Sequence, residues 1–319
     1  MLKVVIIGYG EMFTNMIAGT LDSGSKIVGV LRHDRKKYPR GLRWLKDCFN
    51  PNQDYNYIKS YNLHEIKTNS ANSSSFRKQL LQLNPDIMIV ASWSERIKKE
   101  VFDIPKIATI NLHPSLLPKY RGPNPYMRTI LNMEEKSGVT FHLMDENFDS
   151  GAILEQRTVE ITQNDTAKEL KAKTVLVARG AICELLEKLS EDVIFPIQQD
   201  ENKSTYYSTE FDPEVVFTEN ANKISAQIRC IHPWAKTFFF TNKYVFVPNP
   251  YKITIIDNTT PYTEIGTIVD VDIKDSSITI VCKDGKLIRL AGLKRYGLLN
   301  QFFTKQALKH IQIGEIAKA

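Results

Sequence analysis

Asn111 and His113 stand two residues apart at the end of the apolar run Ile107–Leu112 (IATINL). Side chains alternate along a strand, so this spacing puts an amide and an imidazole on the same face. Pro114 has no N–H for a strand ladder and ends the strand directly after His113. The pair is therefore expected at a strand mouth, facing a loop cleft. Pro118, Gly122, Pro123 and Pro125 then stiffen the loop that follows. An imidazole in that place can exchange a proton near neutral pH, and the amide beside it can donate a hydrogen bond. A lone histidine at a strand end is more often a packed structural residue than a catalytic one, and this segment alone leaves both readings open. The second polar feature is Met144–Gly151 (MDENFDSG), an acidic loop closed by glycine. Asp149, before Ser150-Gly151, is placed to hold a turn, or to reach His113 if their strands are neighbours.

The elements that would position these groups alternate in type. Leu2–Ile7 is a continuous apolar run ending at Gly8, as expected of a strand buried on both faces. Met12–Leu21 and Ser73–Leu83 have helical spacing, the latter stopped by Asn84-Pro85. Lys26–Leu31, Asp86–Ala91 and Ile107–Leu112 read as further strands. This βαβ rhythm predicts an α/β, doubly wound sheet, in which ligands bind beyond the carboxyl ends of the strands. Ser137–Met144 and Ala152–Ile161 read as two more strands. Thr166–Lys188 reads as a long helix, with Asn164-Asp165-Thr166 as its start and Glu169 near the capping-box position. Glu191–Thr205 is polar and irregular, a linker by composition. A short helix, Asn222–Ile231, and six short strand-like runs between Thr237 and Leu290 follow, which predicts a small β-barrel.

The stretch from Asn111 to Gly122 (NLHPSLLPKYRG) resembles the signature of the folate-dependent formyltransferases. Gly138-Val139-Thr140, Met144-Asp145 and Asp149-Ser150-Gly151 are similar to that family's second signature, and the likeness covers most of residues 1–190. A weaker likeness runs through Ile231-His232-Pro233-Trp234 to the C-terminal domain of the members that formylate initiator methionyl-tRNA. The resemblance implies a Rossmann-like catalytic domain over residues 1–190, a linker over 191–205 and a smaller, OB-like barrel domain over 206–319. It implies an enzyme that needs no metal and takes a formyl group from 10-formyltetrahydrofolate. The first apolar run is too short for a signal-peptide core, so the protein is expected in the cytoplasm, and it is expected to act as a monomer. Asn111, His113 and Asp149 take the catalytic roles, with Asn111 and a protonated His113 donating to the formyl oxygen and Asp149 holding the imidazole. The pterin is expected at the loop after Asp86–Ala91, with Ala91, Ser92, Trp93 and Ser94 as its contacts, joined by Ser115 and Asp145. Tyr120, Arg121 and Gly122 are expected to shape the entrance.

The acceptor is expected to be initiator methionyl-tRNA, with an amino sugar carried on a nucleotide as the alternative and a non-catalytic tRNA-binding module as a third reading. Net charge is +6, and two stretches concentrate it. Arg32 to Lys46 holds seven basic residues against one acid, and Lys283 to Lys309 repeats that ratio. Such stretches suit a phosphate backbone, or are simply solvated faces. The first also carries Tyr38, Trp44 and Phe49, so Arg40 and Arg43 are read as acceptor contacts. Pro123-Asn124-Pro125-Tyr126 departs from the two small residues usual after Arg-Gly in the tRNA enzymes. Gly8-Tyr9-Gly10 begins a dinucleotide fingerprint, but Phe13 stands where its third glycine belongs. The four cysteines are scattered and read as reduced thiols. His142 and His232 read as packed or solvent-exposed. No run of ~18 apolar residues suggests a membrane span.

Overall fold

The computed structural model describes residues 1–32, 53–68, 70–208, 210–297 and 300–317. The chain divides into two compact units. The first comprises Met1–Pro123, Lys136–Glu160 and Lys171–Tyr207, and the second Asn124–Glu135, Ile161–Leu170 and Ser208–Ala319.

The first unit holds β1 (Lys3–Gly8), α1 (Gly10–Asp22), β2 (Lys26–Arg32), α2 (Gln53–Ser60), α3 (Ser74–Leu83), β3 (Ile87–Ala91), α4 (Lys99–Phe102) and β4 (Ala108–His113). It also holds β5 (Lys136–Leu143), β6 (Ile153–Glu160) and most of a long helix over Ala167–Ser190. The sheet order is β2-β1-β3-β4-β5-β6. The first four strands are parallel, and β5 and β6 run antiparallel to their neighbours.

The parallel strands read as unbroken apolar runs because both faces are covered. Val4 and Ile6 of β1 join one core with Phe13, Ile17, Ile182 and Leu185, while Val5 and Ile7 join the opposite core with Phe76, Leu80 and Val101. α3 begins where Ser73 Oγ accepts from the Phe76 N–H at 3.0 Å, and it stops at Asn84, whose φ of 46° leaves the helix. The long helix starts with the expected capping box. Thr166 Oγ1 accepts from the Lys168 N–H at 3.2 Å, and Glu169 reaches back to the Thr166 N–H at 3.1 Å.

The pairing registers set Arg32, Gly8, Ala91 and Leu112 in one row across the carboxyl ends of the parallel strands. The candidate site lies at this edge. Residues 191–207, polar and irregular as their composition suggests, include a 3-10 turn at Glu201–Lys203 and bridges that pair Ile197 with Ile153 and Tyr206 with Arg121.

In the second unit, α5 (Pro125–Leu131) packs on α7 (Ala221–Cys230); the long helix is α6. Two antiparallel sheets follow. One orders β10-β11-β12-β9, and the other β13-β8-β7. The strands are β7 (Phe239–Phe240), β8 (Val245–Val247), β9 (Ile253–Ile256), β10 (Ile268–Asp272), β11 (Ser277–Val281), β12 (Leu287–Leu290) and β13 (Lys294–Arg295), and α8 (Thr304–Leu308) closes the series. Phe217, Phe239, Phe246, Ile278, Ile280 and Leu290 form the core of this unit. Among the described residues, no helix is long and apolar enough to cross a membrane.

Candidate active site

Asn111 and His113 occupy the last turns of the pleat in β4, as the alternation predicts, and β5 lies directly beside them. The β4–β5 register sets Asn111 opposite His142 and His113 opposite Thr140. Residues directly opposed across an antiparallel pair share a face. His142 therefore stands next to Asn111, with Nε2 3.1 Å from the Asn111 amide nitrogen. His142 is packed, as read from the sequence, at 2% exposed, and its ring also contacts Asn111 and Asp149.

The β5–β6 loop brings in the carboxylate. Asp149 has a φ of +54°, which turns its side chain back over the strand mouth. Gly151 is required just after it, because a Cβ there would lie 1.8 Å from the Leu143 carbonyl oxygen. Asp149 Oδ1 accepts from Asn111 Nδ2 at 3.2 Å, and lies 3.5 Å from His113 Nδ1 and 3.6 Å from His142 Nε2. Its Oδ2 accepts from the Gly122 N–H at 2.9 Å. One carboxylate thus gathers an amide, two imidazoles and a loop N–H.

The hydrogen bonds assign the ring nitrogens. His113 Nε2 lies 2.8 Å from the Tyr120 carbonyl oxygen, an acceptor only, so Nε2 carries the proton. Nδ1 is then the basic nitrogen, on the side of Asp149. In His142, Nδ1 donates to the Leu143 carbonyl at 2.8 Å, and Nε2 accepts one hydrogen of the Asn111 amide. The other amide hydrogen goes to Asp149.

Burial sets the charges. His113 is 5% exposed. Desolvation pushes its pKa below the ordinary 6.5, opposed by the Asp149 charge and the Tyr120 carbonyl and aided by His142 and Arg121. Burial thus favours the neutral ring and works against the expected protonated imidazole, which the facing Asp149 carboxylate favours. Burial also pushes the Asp149 pKa upward, but His113, His142 and the Gly122 N–H outweigh it and lower the pKa to about 2. Asp149 is ionised throughout the physiological range.

The other expected residues fall at varied places. Tyr120 gives its carbonyl to His113, and its ring stacks on Tyr207 at 5.4 Å between centroids. Arg121 is buried, with its guanidinium on Gln199 and Glu201, and its own N–H on the Thr205 carbonyl. Gly122, with a φ of +92°, presents its N–H to Asp149. Ser115 is fully buried and donates to the Lys119 carbonyl at 2.8 Å, bracing the loop from within. Asp145 accepts from the Asn147 N–H and from the Ser150 hydroxyl, so both its oxygens serve its own loop. Ala91 is buried at the end of β3, Ser92 follows with a φ of +58°, Trp93 packs on the core beside α3, and Ser94 continues the loop. Arg40 and Arg43 lie outside the described residues.

Two residues at or near the strand mouths gave no signal in the sequence. Gln199 lies in the stretch read as a linker, and its amide reaches the Asp149 and Gly151 carbonyls at 2.9 and 2.8 Å. Asp54, in α2, accepts from the Gly10 N–H at the start of α1 with both oxygens, at 3.1 and 2.9 Å. A carboxylate therefore sits at the position where a dinucleotide fold binds pyrophosphate.

The formyl transferase family matches residues 2–186. A methionyl-tRNA formyltransferase of Clostridium novyi (strain NT) is 34% identical over 291 residues, 90% of each chain. Another, of Ehrlichia canis (strain Jake), is 29% identical over 290 residues, 91% of each chain. In fold, the chain is similar to an N-formyltransferase from Helicobacter canadensis crystallised with folinic acid and dTDP-3-aminofucose. That likeness has a TM-score of 0.68 and 20% identity, over 93% of this chain and 100% of the other. The family match over residues 2–186 and the 34% identical relative covered over 90% of each chain establish that the chain belongs to the formyl transferase family.

Proposed function

We propose that this enzyme transfers a formyl group from 10-formyltetrahydrofolate to the amino group of initiator methionyl-tRNA, through Asn111, His113 and Asp149. The observation that carries the reading is the convergence of Asn111 Nδ2 and His113 Nδ1 on Asp149 Oδ1. The folate supplies the formyl carbon, to which the amine nitrogen bonds while the bond to the folate nitrogen breaks. The amine loses one proton and the departing nitrogen gains one.

The chain's own groups fit this traffic. Asn111 and Asp149 are the partly exposed members of the cluster, and an incoming formyl oxygen takes one Asn111 amide hydrogen in place of His142 or Asp149. A fixed donor of this kind is worth about 3–4 kcal/mol of barrier. Neutral His113, with Nε2–H held by Tyr120, offers Nδ1 to take the amine proton. The cation so formed then faces the ionised Asp149 at 3.5 Å. The same proton can pass to the leaving nitrogen.

Folate binding fits the loop after β3, where Ala91 to Ser94 adjoin the same strand edge and the partly buried Trp93 offers an aromatic face. Ser115 and Asp145 support folate binding there by bracing their own loops. Residues 1–190 serve as the catalytic domain, 191–205 as the link, and 206–319 as a domain whose two antiparallel sheets form an OB-like barrel. The two basic stretches serve the tRNA backbone, with Arg40 and Arg43 in the first.

The relatives named methionyl-tRNA formyltransferase support the tRNA acceptor. The test supplies purified protein and formyl donor with charged initiator tRNA, and separately with an amino-sugar nucleotide. The expected result is formylation of the tRNA only. Turnover of the sugar alone would replace the acceptor, and no turnover with either would favour a tRNA-binding module.

A further inference from the structure

Gln199 is 9% exposed and uses every polar atom of its amide. Its Oε1 accepts from Arg121 Nε at 3.2 Å and Nη2 at 2.7 Å. Its Nε2 donates to the Asp149 carbonyl at 2.9 Å and to the Gly151 carbonyl at 2.8 Å. One side chain therefore ties the loop that carries Tyr120, Arg121 and Gly122 to the loop that carries Asp149.

The surrounding backbone repeats the connection. Thr205 receives the Arg121 N–H on its carbonyl at 2.8 Å and the Tyr120 N–H on its hydroxyl at 2.8 Å. Tyr207 N–H donates to the Arg121 carbonyl, and Ile197 pairs in both directions with Ile153. The strap over residues 197–207 thus runs along both loops. Each loop delivers half of the catalytic geometry. One gives the Tyr120 carbonyl that fixes the His113 tautomer and the Gly122 N–H that holds Asp149, and the other gives the carboxylate itself. A backbone at φ +54°, as at Asp149, and at φ +64°, as at Tyr120, needs surroundings that hold it in place.

We propose that Gln199 is a positioning residue for formyl transfer, and that the strap beyond residue 186, where the family match ends, completes the active site. This rests on the formyltransferase reading of the Asn111, His113 and Asp149 cluster. Gln199 touches no reacting atom. It acts through Asp149, by fixing the carboxylate against the imidazole.

Two substitutions separate the functions of the amide. Gln199→Leu removes both ties. Gln199→Glu is close in shape and keeps an acceptor for Arg121, but cannot donate to the two carbonyls. Each is measured for kcat, for the KM of the formyl donor and for melting temperature, with whichever acceptor the wild-type protein turns over, and each is repeated in an Asp149→Asn background.

The expected result is a fall in kcat of roughly 10- to 100-fold for both variants, because small misplacements of a catalytic group cost that much. KM stays near wild type, the melting temperature falls by a few degrees because buried partners of the amide are left unpaired, and in the Asp149→Asn background the further loss in kcat shrinks to about threefold or less. Wild-type kcat in Gln199→Glu, or an equal loss with and without Asp149, would overturn the proposal. A wild-type protein that formylates no amine would overturn the formyltransferase reading, and the positioning role with it. A wild-type protein that formylates only a sugar amine would overturn the tRNA reading, and the cycle run with that sugar would still decide the role of Gln199.

Discussion

Asp54 and Asp149 stand at two strand mouths of the same sheet, and each accepts a glycine N–H at 2.9 Å. Their charges nonetheless respond in opposite directions. Asp54 places both oxygens on the single Gly10 N–H, and burial raises its pKa against that bond and the Arg32 charge. Asp149 gives one oxygen to Gly122 and keeps the other for Asn111, His113 and His142, and its pKa falls to about 2 despite burial. A backbone anchor alone does not make a buried acid catalytic. The groups facing its second oxygen do. Asp54 plugs the N-terminus of α1, whereas Asp149 is poised to meet a positive charge that forms during reaction.

The largest expected break in this contrast is Asp149→Asn. The amide can still accept from Gly122, so the fold stays, but a neutral group cannot stabilise charged His113. A fall in kcat of about a thousandfold is expected in a steady-state formylation assay. Activity near wild type would remove the distinction between the two acids. His142→Phe should come next. It leaves one hydrogen of the Asn111 amide without its acceptor, and the loss of about one hydrogen bond lowers kcat by roughly tenfold. An unchanged rate would mean that Asn111 is oriented by Asp149 alone.

Asp54→Asn should have the smallest effect, with kcat within about twofold of wild type, since a surface-independent cap has no part in proton transfer. Its signature is the pH dependence of stability. A raised folded pKa means that Asp54 favours the folded state at low pH and loses that contribution as pH rises from the ordinary 3.8 through its folded value. Asp149, with its lowered pKa, favours the folded state above 3.8 and loses that contribution as pH falls through about 2. Thermal melts of Asp54→Asn should therefore lack a decline above pH 3.8 that wild type shows, whereas Asp149→Asn should lack a decline on the acid side. Identical melting profiles for the two variants would contradict the opposite assignments.

Much of this site was legible in the sequence because its signals are local. Strand alternation placed Asn111 and His113 together, Pro114 ended the strand, and Ser150-Gly151 marked the turn that aims Asp149. Apolar runs revealed the parallel strands because both faces are buried, and Thr166 with Glu169 marked the start of α6. What escaped was non-local. His142 becomes a neighbour of Asn111 only through the β4–β5 register, which no short window contains. It could have been found by counting antiparallel pairs back from the Asp149 loop. Gln199 looks like any polar linker residue until Arg121 and the Gly151 carbonyl arrive from far along the chain. Asp54 is one acid in a polar helix until α2 meets the first turn of α1. The charge of His113 was hidden for the same reason, since burial by distant elements decides it.

The dependence of single-turnover formyl transfer on pH tests the account most directly. Beyond the limb set by protonation of the acceptor amine itself, at about pH 8, the neutral ring, facing Asp149, His142, Arg121 and the Tyr120 carbonyl, should add a second acid limb with a midpoint below 6.5. That second limb should vanish, along with most of the rate, in His113→Ala, leaving the amine's limb alone. Its absence from the wild-type profile, or its survival after the loss of His113, would contradict the assignment of His113 as the group that takes the amine's proton.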